Sequence, residues 1–187
     1  MCNFTETKES SKGLRRFSTF ALLLLAIALN GKPAQAAPLN LSLQATPDIF
    51  SDFIDVNYDA ANQKFTAHGF VEHLRNGSDA PIPIINGTFE ISANITNTGT
   101  LDSGTMTITG EIPVLGNGPG TLLAGNVTLL GYGEPGGAVE LQFDTNGGSM
   151  ASNFGPMIGI ILGQSGFPGN FSGDFSSNSI AVAGIGW

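Results

Sequence analysis

Regular alternation of apolar and polar residues is the feature that most constrains the fold of this chain. The clearest example is residues 87–112, where the apolar positions on either side of a turn are Phe89, Ile91, Ala93 and Ile95, then Met106, Ile108 and Ile112. Thr, Ser, Asn and Glu fill most of the positions between them. Successive side chains of a β-strand point to opposite faces, so this period of two predicts a hairpin with one buried and one polar face.

The alternation continues through most of the chain beyond residue 38, with turns rich in Gly, Pro and Asn between the apolar runs. Roughly nine strands are predicted, which favours an all-β fold: an antiparallel β-sandwich or a flattened, partly closed barrel of about 8–9 strands. One short helix is expected near residues 47–53, because Thr46, Pro47 and Asp48 form a helix-start pattern. Phe167, Phe171 and Phe175 are expected to be pinned onto the core by a Gly-rich loop.

Residues 1–36 have the three parts of a secretory leader. Basic residues precede an apolar run at 20–29 (FALLLLAIAL), and the small-x-small sequence AQA follows at 34–36. The apolar run is too short to span a bilayer as an ordinary helix. We therefore expect residues 1–36 to be a cleaved signal peptide and residues 37–187 to be a single secreted β domain. The expected location is extracellular, with the periplasm or the cell surface as alternatives.

Removal of the leader changes the chemistry of the chain. Cys2 is the only cysteine, so the mature domain would have no disulfide and no thiolate metal site. Of the 15 acidic residues, Glu6 and Glu9 leave with the leader, so 13 remain against only Lys64 and Arg75. Such an acidic protein repels phosphate backbones, which argues against a nucleic-acid partner. The mature chain is also expected to have no transmembrane anchor.

The two histidines are the residues in the mature chain most suited to bind a transition metal. His68 and His73 are five residues apart, an odd spacing that places them on opposite faces of a regular strand. No third ligand lies near them in the sequence, so we expect exposed strand histidines. A catalytic serine is not indicated either, because the chain contains no Gly-x-Ser-x-Gly elbow.

Two groups of carboxylates are close enough in the sequence to suggest a calcium-binding or a reactive site. The densest group consists of Asp48, Asp52, Asp55 and Asp59, but it lacks the ligand spacing and the turn Gly of a calcium loop. Glu140 and Asp144 would lie on one strand about 13 Å apart, which is too far for a glycosidase pair. We expect Glu140 and Asp144 to lie on a solvated strand face. The sequence thus assigns no catalytic, cofactor-binding or metal-binding residue, no cofactor is expected, and the chain is not expected to be an enzyme.

Several stretches together resemble a known class of exported proteins. They are TPDIFSDFIDVNYDAANQKFTAHGF, INGTFEISANI, SGTMTITGEI, GTLLAGNVTLLGYG, VELQFDTNGGSMASNFGP and GFPGNFSGDF. The chain resembles the Gly-rich β body of bacterial PEP-CTERM (exosortase-sorted) proteins, without their C-terminal sorting signal of a Pro-Glu-Pro motif, an apolar helix and a basic tail. The resemblance implies a bacterial envelope or extracellular protein tied to matrix or surface layers, and it supplies no catalytic residues.

The expected function follows from the polar faces of the predicted strands. Thr105, Thr107 and Thr109 form a hydroxyl row, which suits an exposed strand and also weak polar contacts with glycans. We therefore expect a non-enzymatic secreted or envelope protein that acts through this surface in extracellular matrix, adhesion or assembly, with extracellular glycans or envelope proteins as partners. One alternative is a barrel that carries a small apolar ligand among Phe65, Phe89, Phe143, Phe167 and Phe171. A polysaccharide-acting hydrolase is the second alternative.

Overall fold

The computed structural model describes residues 36–42, 47–77, 79–163, 166–179 and 184–185. Within these ranges the chain forms nine β-strands: β1 (Asp48–Asp59), β2 (Lys64–Arg75), β3 (Ile82–Ile95), β4 (Leu101–Ile112), β5 (Asn117–Tyr132), β6 (Val139–Gly147), β7 (Met157–Leu162), β8 (Phe175–Ser179) and β9 (Gly184–Ile185). The helical elements in these ranges are a 3-10 turn at Pro113–Leu115 and the four-residue helix α1 (Ala151–Phe154). Neither is long and apolar enough to cross a membrane.

The strands form one antiparallel sheet in the order β8-β1-β2-β3-β4-β5-β6-β7-β9. Each of the strands β1 to β6 pairs with the next one in the chain, so this part of the sheet is a meander of hairpins. Some Cα atoms of β9 also lie within 8 Å of β1, because the sheet curls round. The predicted all-β antiparallel fold is confirmed, and of the two expected architectures the partly closed barrel describes it.

The helix expected near residues 47–53 is wrong, because β1 begins at Asp48. Its apolar residues at 49, 50, 53 and 54 have a helix-like spacing. The actual reason for that spacing is a β-bulge, since Asp52 pairs with Phe70 but the next pair is Asp55 with His68. The extra residue shifts the alternation, so Ile49 lies inside the sheet before the bulge and Ile54 lies inside after it.

The apolar face of the sheet encloses the core. Inward-facing residues such as Phe89, Ile91, Ile108, Leu141 and Phe143 have no exposed surface. At one end of the curled sheet, aromatic side chains form what we call the end cluster: Tyr58, Phe65, Tyr132, Phe167, Phe171 and Phe175. Phe167 and Phe171 come from the Gly-rich loop before β8 and are buried, which confirms the expectation for these two rings, whereas Phe175 is the first residue of β8 and is only partly buried.

The end cluster is held by a buried hydrogen bond as well as by ring packing. The Tyr58 hydroxyl donates to the carbonyl oxygen of Ile95, at 2.7 Å. The ring of Phe171 packs edge-on against Tyr58, with the centroids 5.0 Å apart, and against Tyr132 at 5.1 Å. Edge-to-face packing at such distances adds to the stabilisation from burial of apolar area. The cluster therefore closes this end of the core in the absence of a disulfide.

Residues 36–42, which we call the N-terminal strap, lie across the outer face of β5, β6 and β7. Glu140 accepts the backbone N–H groups of Asn40 at 2.9 Å and Leu41 at 3.1 Å. Gly131 makes room for the strap, because a Cβ atom there would be 2.6 Å from the backbone nitrogen of Leu39. At Gly159 a Cβ atom would be 3.0 Å from Cδ1 of Leu41. The strap thus depends on two small residues and one carboxylate.

Candidate functional site

The outer face of the sheet carries a continuous row of polar side chains across seven neighbouring strands. Cross-strand pairing gives the order Ser176, Asn57, Thr66, Ser92, Thr105, Asn126 and Asp144, which we call the polar band. All are exposed except Ser92, which is partly buried. Neighbouring strands lie about 4.8 Å apart, so the band presents a hydroxyl, amide or carboxylate group at regular intervals. Only Asp144, at one end of it, carries a charge.

The hydroxyl row predicted at Thr105, Thr107 and Thr109 lies on this face of β4, as the alternation requires. Thr109 shares a hydrogen bond of 2.6 Å with the hydroxyl of Thr88 on β3. Asn94 similarly donates its side-chain amide to the Ser103 hydroxyl at 3.0 Å. Such cross-strand bonds fix the orientation of these groups without placing like charges side by side. The face is therefore an ordered polar surface.

A second feature of the outer face is confined to the first hairpin. Five rings lie on the outer side of β1 and β2 and form what we call the aromatic stripe: Phe50, Phe53, His68, Phe70 and His73. Phe50 stacks on His73 with the centroids 4.9 Å apart and the planes at 9°. His68 and Phe70 pack edge-to-face at 6.3 Å. Among the described residues, every Phe outside the core belongs to this stripe.

Phe53 is unusual for two independent reasons. Its φ is +52°, a left-handed conformation that is costly for a bulky residue other than glycine. Its side chain is also 61% exposed, and that of Phe70 is 57% exposed. Phe53 occupies the β1 bulge, where the carboxylate of Asp52 accepts its backbone N–H at 2.8 Å. The bulge therefore turns a large apolar ring toward solvent instead of toward the core.

The expectation that His68 and His73 lie on opposite faces is wrong. A second bulge interrupts the alternation of β2 at Glu72, because Ser51 pairs with Val71 but the neighbouring Phe50 pairs with His73. Both imidazoles consequently lie on the outer face, His68 exposed and His73 partly buried. They do not assemble a metal site: in the part of the chain that the structure describes, no group of three or more His, Cys, Asp or Glu side chains could hold a metal ion.

The four aspartates considered for calcium are spread along β1, with Asp48 buried near its start and Asp55 exposed. Asp59 has a local structural role, because it accepts the backbone N–H of Asn62 at 2.9 Å and its side-chain amide at 2.7 Å. These hydrogen bonds lower the pKa of Asp59 from its usual value. Asp59 therefore stabilises the turn between β1 and β2.

The structure separates the roles of Glu140 and Asp144. Both lie on the outer face of β6, and Asp144 is exposed as expected. The expectation that Glu140 is solvated is wrong, since its exposed fraction is 8% beneath the N-terminal strap. Sequence reasoning missed this role because the two N–H donors lie 100 and 99 residues away in the chain.

The five phenylalanines considered as the lining of a ligand cavity lie in the core. Phe65, Phe89 and Phe143 have no exposed surface, and Phe65 packs against Phe171 with the ring centroids 6.2 Å apart. An open cleft of about 440 Å³ lies elsewhere, between the start of the strap, the turn at 133–135 and the loop at 168–170. Its lining includes one carboxylate, Glu134, and neither histidine.

The polar band and the aromatic stripe are therefore the arrangements on which a functional argument can rest. The alternation of Thr and Ser residues in the sequence predicts the polar band. The aromatic stripe could not be predicted from that alternation, because two bulges interrupt it. Comparisons with protein-family models, with curated proteins and with solved structures find no match to this chain.

Proposed function

We propose that this chain is a non-enzymatic extracellular or cell-envelope protein that acts through the outer face of its sheet, in extracellular matrix, adhesion or assembly. The observation that carries the proposal is the polar band, which runs across seven adjacent strands with one charged member. Hydroxyl and amide groups both donate and accept hydrogen bonds, so this face complements ligands rich in hydroxyl groups.

The energetics suit adhesion through many weak contacts. A single neutral hydrogen bond contributes only about 0.5–1.5 kcal/mol net, because each partner gives up water. A row of such groups on one rigid sheet lets several contacts form together, and additional copies of the protein would add avidity. The expected behaviour is reversible attachment to an extended polymer surface rather than tight capture of one small molecule.

Three other observations support an extracellular surface role. The leader-like residues 1–36 favour export. The resemblance to the body of PEP-CTERM proteins favours an envelope or matrix location. The buried phenyl rings of the core and the end cluster favour action through the surface over transport of a ligand in the interior.

Secretion and co-sedimentation test the proposal. The full chain is expressed in a bacterium, its mature N-terminus is sequenced, and the purified mature protein is sedimented with isolated cell envelopes and with extracellular polysaccharide. We expect an N-terminus at Ala37 and co-sedimentation with at least one of the two materials. Retention in the cytoplasm, or a mature protein that sediments with neither material, would contradict the proposal.

Substitutions in the polar band show whether this face is responsible. Thr66→Glu combined with Thr105→Glu places two charges in the middle of the band and should reduce co-sedimentation strongly. Val114→Glu is the control, because Val114 is 73% exposed and belongs to the 3-10 turn outside the band. Equal co-sedimentation of the two variants would place the binding surface elsewhere.

A further inference from the structure

We propose that the aromatic stripe on β1 and β2 is a binding site for the sugar rings of a neutral polysaccharide chain. This inference rests on the proposed function, since it names the class of ligand that the outer face takes. It starts from the two unfavourable features of Phe53, its left-handed backbone and its 61% exposed ring. Strained residues persist only where the surrounding structure enforces them, and they concentrate at ligand-binding sites.

The shape of the stripe fits a linear polymer. From His68 to His73 the stripe is about 17 Å long at about 3.3 Å per residue, and it is only two strands wide. A stable protein–protein interface buries about 800 Å² on each partner around an apolar centre, which a narrow line of rings does not provide. A polysaccharide chain, in contrast, presents the C–H faces of successive sugar rings along one line, and flat aromatic side chains can stack on these faces.

The groups beside the stripe match the edges of sugar rings. Phe70 is paired across the sheet with Asp52 on one side and with Thr88 on the other. The Thr88 hydroxyl is in turn hydrogen-bonded to the hydroxyl of Thr109. His68 is likewise flanked by Asp55 and Glu90. Carboxylates and hydroxyls accept hydrogen bonds from sugar hydroxyls, while the rings contact the C–H faces. Apolar rings bordered by oxygen acceptors are the combination that a pyranose requires.

Charge decides between neutral and anionic polysaccharides. Asp52, Asp55, Glu72 and Glu90 lie on or beside the stripe, whereas its nearby cation is Arg75, whose guanidinium lies 5.7 Å from the centre of the Phe50 ring. Carboxylates at this density repel a polymer that carries its own carboxylate or sulfate groups. The ligand is therefore an uncharged glycan, and its binding should be nearly independent of salt concentration.

The decisive test compares two glycine variants that relieve the same backbone strain. Phe53→Gly removes both the left-handed strain and the exposed ring. Gln63→Gly is the matched control, because Gln63 has a φ of +54° in the turn after β1 and lies outside the stripe. Each variant should keep or raise the melting temperature, by about 2–4 °C for each kcal/mol of relieved strain. Only Phe53→Gly should lose glycan binding, so misfolding cannot explain the loss.

Binding is measured by titration calorimetry of the mature protein with cellohexaose, chitohexaose and maltohexaose as neutral probes, and with an alginate oligosaccharide as the anionic probe. We expect at least one neutral probe to bind, with an affinity that changes little between low and high salt. Phe53→Gly and Phe70→Ala should each weaken binding about tenfold, equivalent to about 1.4 kcal/mol. Gln63→Gly should bind like the wild type.

Four outcomes would overturn the inference: no binding of any neutral probe, preference for alginate, equal binding by the stripe variants and the wild type, or a stripe that proves to bind an envelope protein instead. The co-sedimentation experiment keeps the proposed function separate. If wild type and stripe variants sediment equally with envelope material, the surface function stands and the stripe assignment falls. If the wild type neither sediments nor binds a probe, both fall.

Discussion

The N-terminal strap gives the sharpest test of the structure, through Glu140→Gln. This variant keeps the size of the side chain and one oxygen acceptor, but it replaces the other oxygen with an amide group that donates hydrogen bonds. In the wild type both oxygens accept backbone N–H groups, from Asn40 at 2.9 Å and from Leu41 at 3.1 Å. The variant must therefore set a donor against a donor at one of the two positions, beneath a strap that leaves Glu140 only 8% exposed.

The magnitude follows from the loss of one charge-assisted hydrogen bond, about 1.5–3 kcal/mol. The strap can detach while the sheet stays folded, so this free energy should appear in local opening more than in global unfolding. Exchange of the amide hydrogens of Asn40 and Leu41 should become about ten to 150 times faster, which is the same free energy expressed as a ratio of rates. The midpoint of global denaturation should move much less.

Amide hydrogen exchange measured by NMR provides the assay, with Asp144→Asn as the control. Asp144 lies on the same strand and the same face, and its substitution removes the same charge, but the residue is exposed and lies outside the strap contact. The reasoning is refuted if the two variants give the same exchange rates at Asn40 and Leu41, because the effect would then be one of general charge.

Two further predictions concern close contacts and a buried hydroxyl. Gly131→Ala should release the strap, because the new Cβ atom would lie 2.6 Å from the backbone nitrogen of Leu39. Gly159→Ala should disturb the strap much less, because its Cβ atom would meet the end of a flexible side chain. Limited proteolysis of the strap should therefore be faster in Gly131→Ala than in Gly159→Ala. Tyr58→Phe should reduce the free energy of unfolding by about 1–2 kcal/mol in denaturant titrations, since it leaves the carbonyl of Ile95 without its 2.7 Å donor. Burial raises the pKa of Tyr58 above its usual value of 10.0. The folding stability that depends on the neutral hydroxyl is therefore complete below pH 10.0 and is lost as the pH rises through the folded-state pKa. The Tyr58→Phe variant should not show this loss of stability at alkaline pH.

The period-two pattern was sufficient to predict the sheet, because each inward strand position is filled by a residue that avoids water. It predicted the inward side of β3 and β4 correctly, at residues such as Phe89 and Ile108. The pattern failed to predict which face a residue occupies where a β-bulge inserts an extra residue into a strand. The bulge at Phe53 produced a helix-like spacing, and the bulge after Val71 moved His73 to the face that already held His68.

The parts of the candidate surface differ in how far the sequence predicts them, because only some of them lie on strands with regular alternation. The polar band follows from alternation alone, since Thr66, Ser92 and Thr105 occupy outward positions of regular pairs. The aromatic stripe required knowledge of both bulges, which carry no clear signature in the sequence. The burial of Glu140 required the partner segment itself, and a contact between residues 40 and 140 cannot be read from local patterns.

The position of the strap sets an order of events during folding. Residues 36–42 are synthesised about a hundred positions ahead of the carboxylate that holds them, whereas strands β1 to β6 each pair with the strand that follows directly. The meander can assemble one hairpin at a time as the chain emerges, with short loops to close at each step. The strap has to wait for β5, β6 and β7 to come together, so the part of the domain that is made first is among the last to reach its native place.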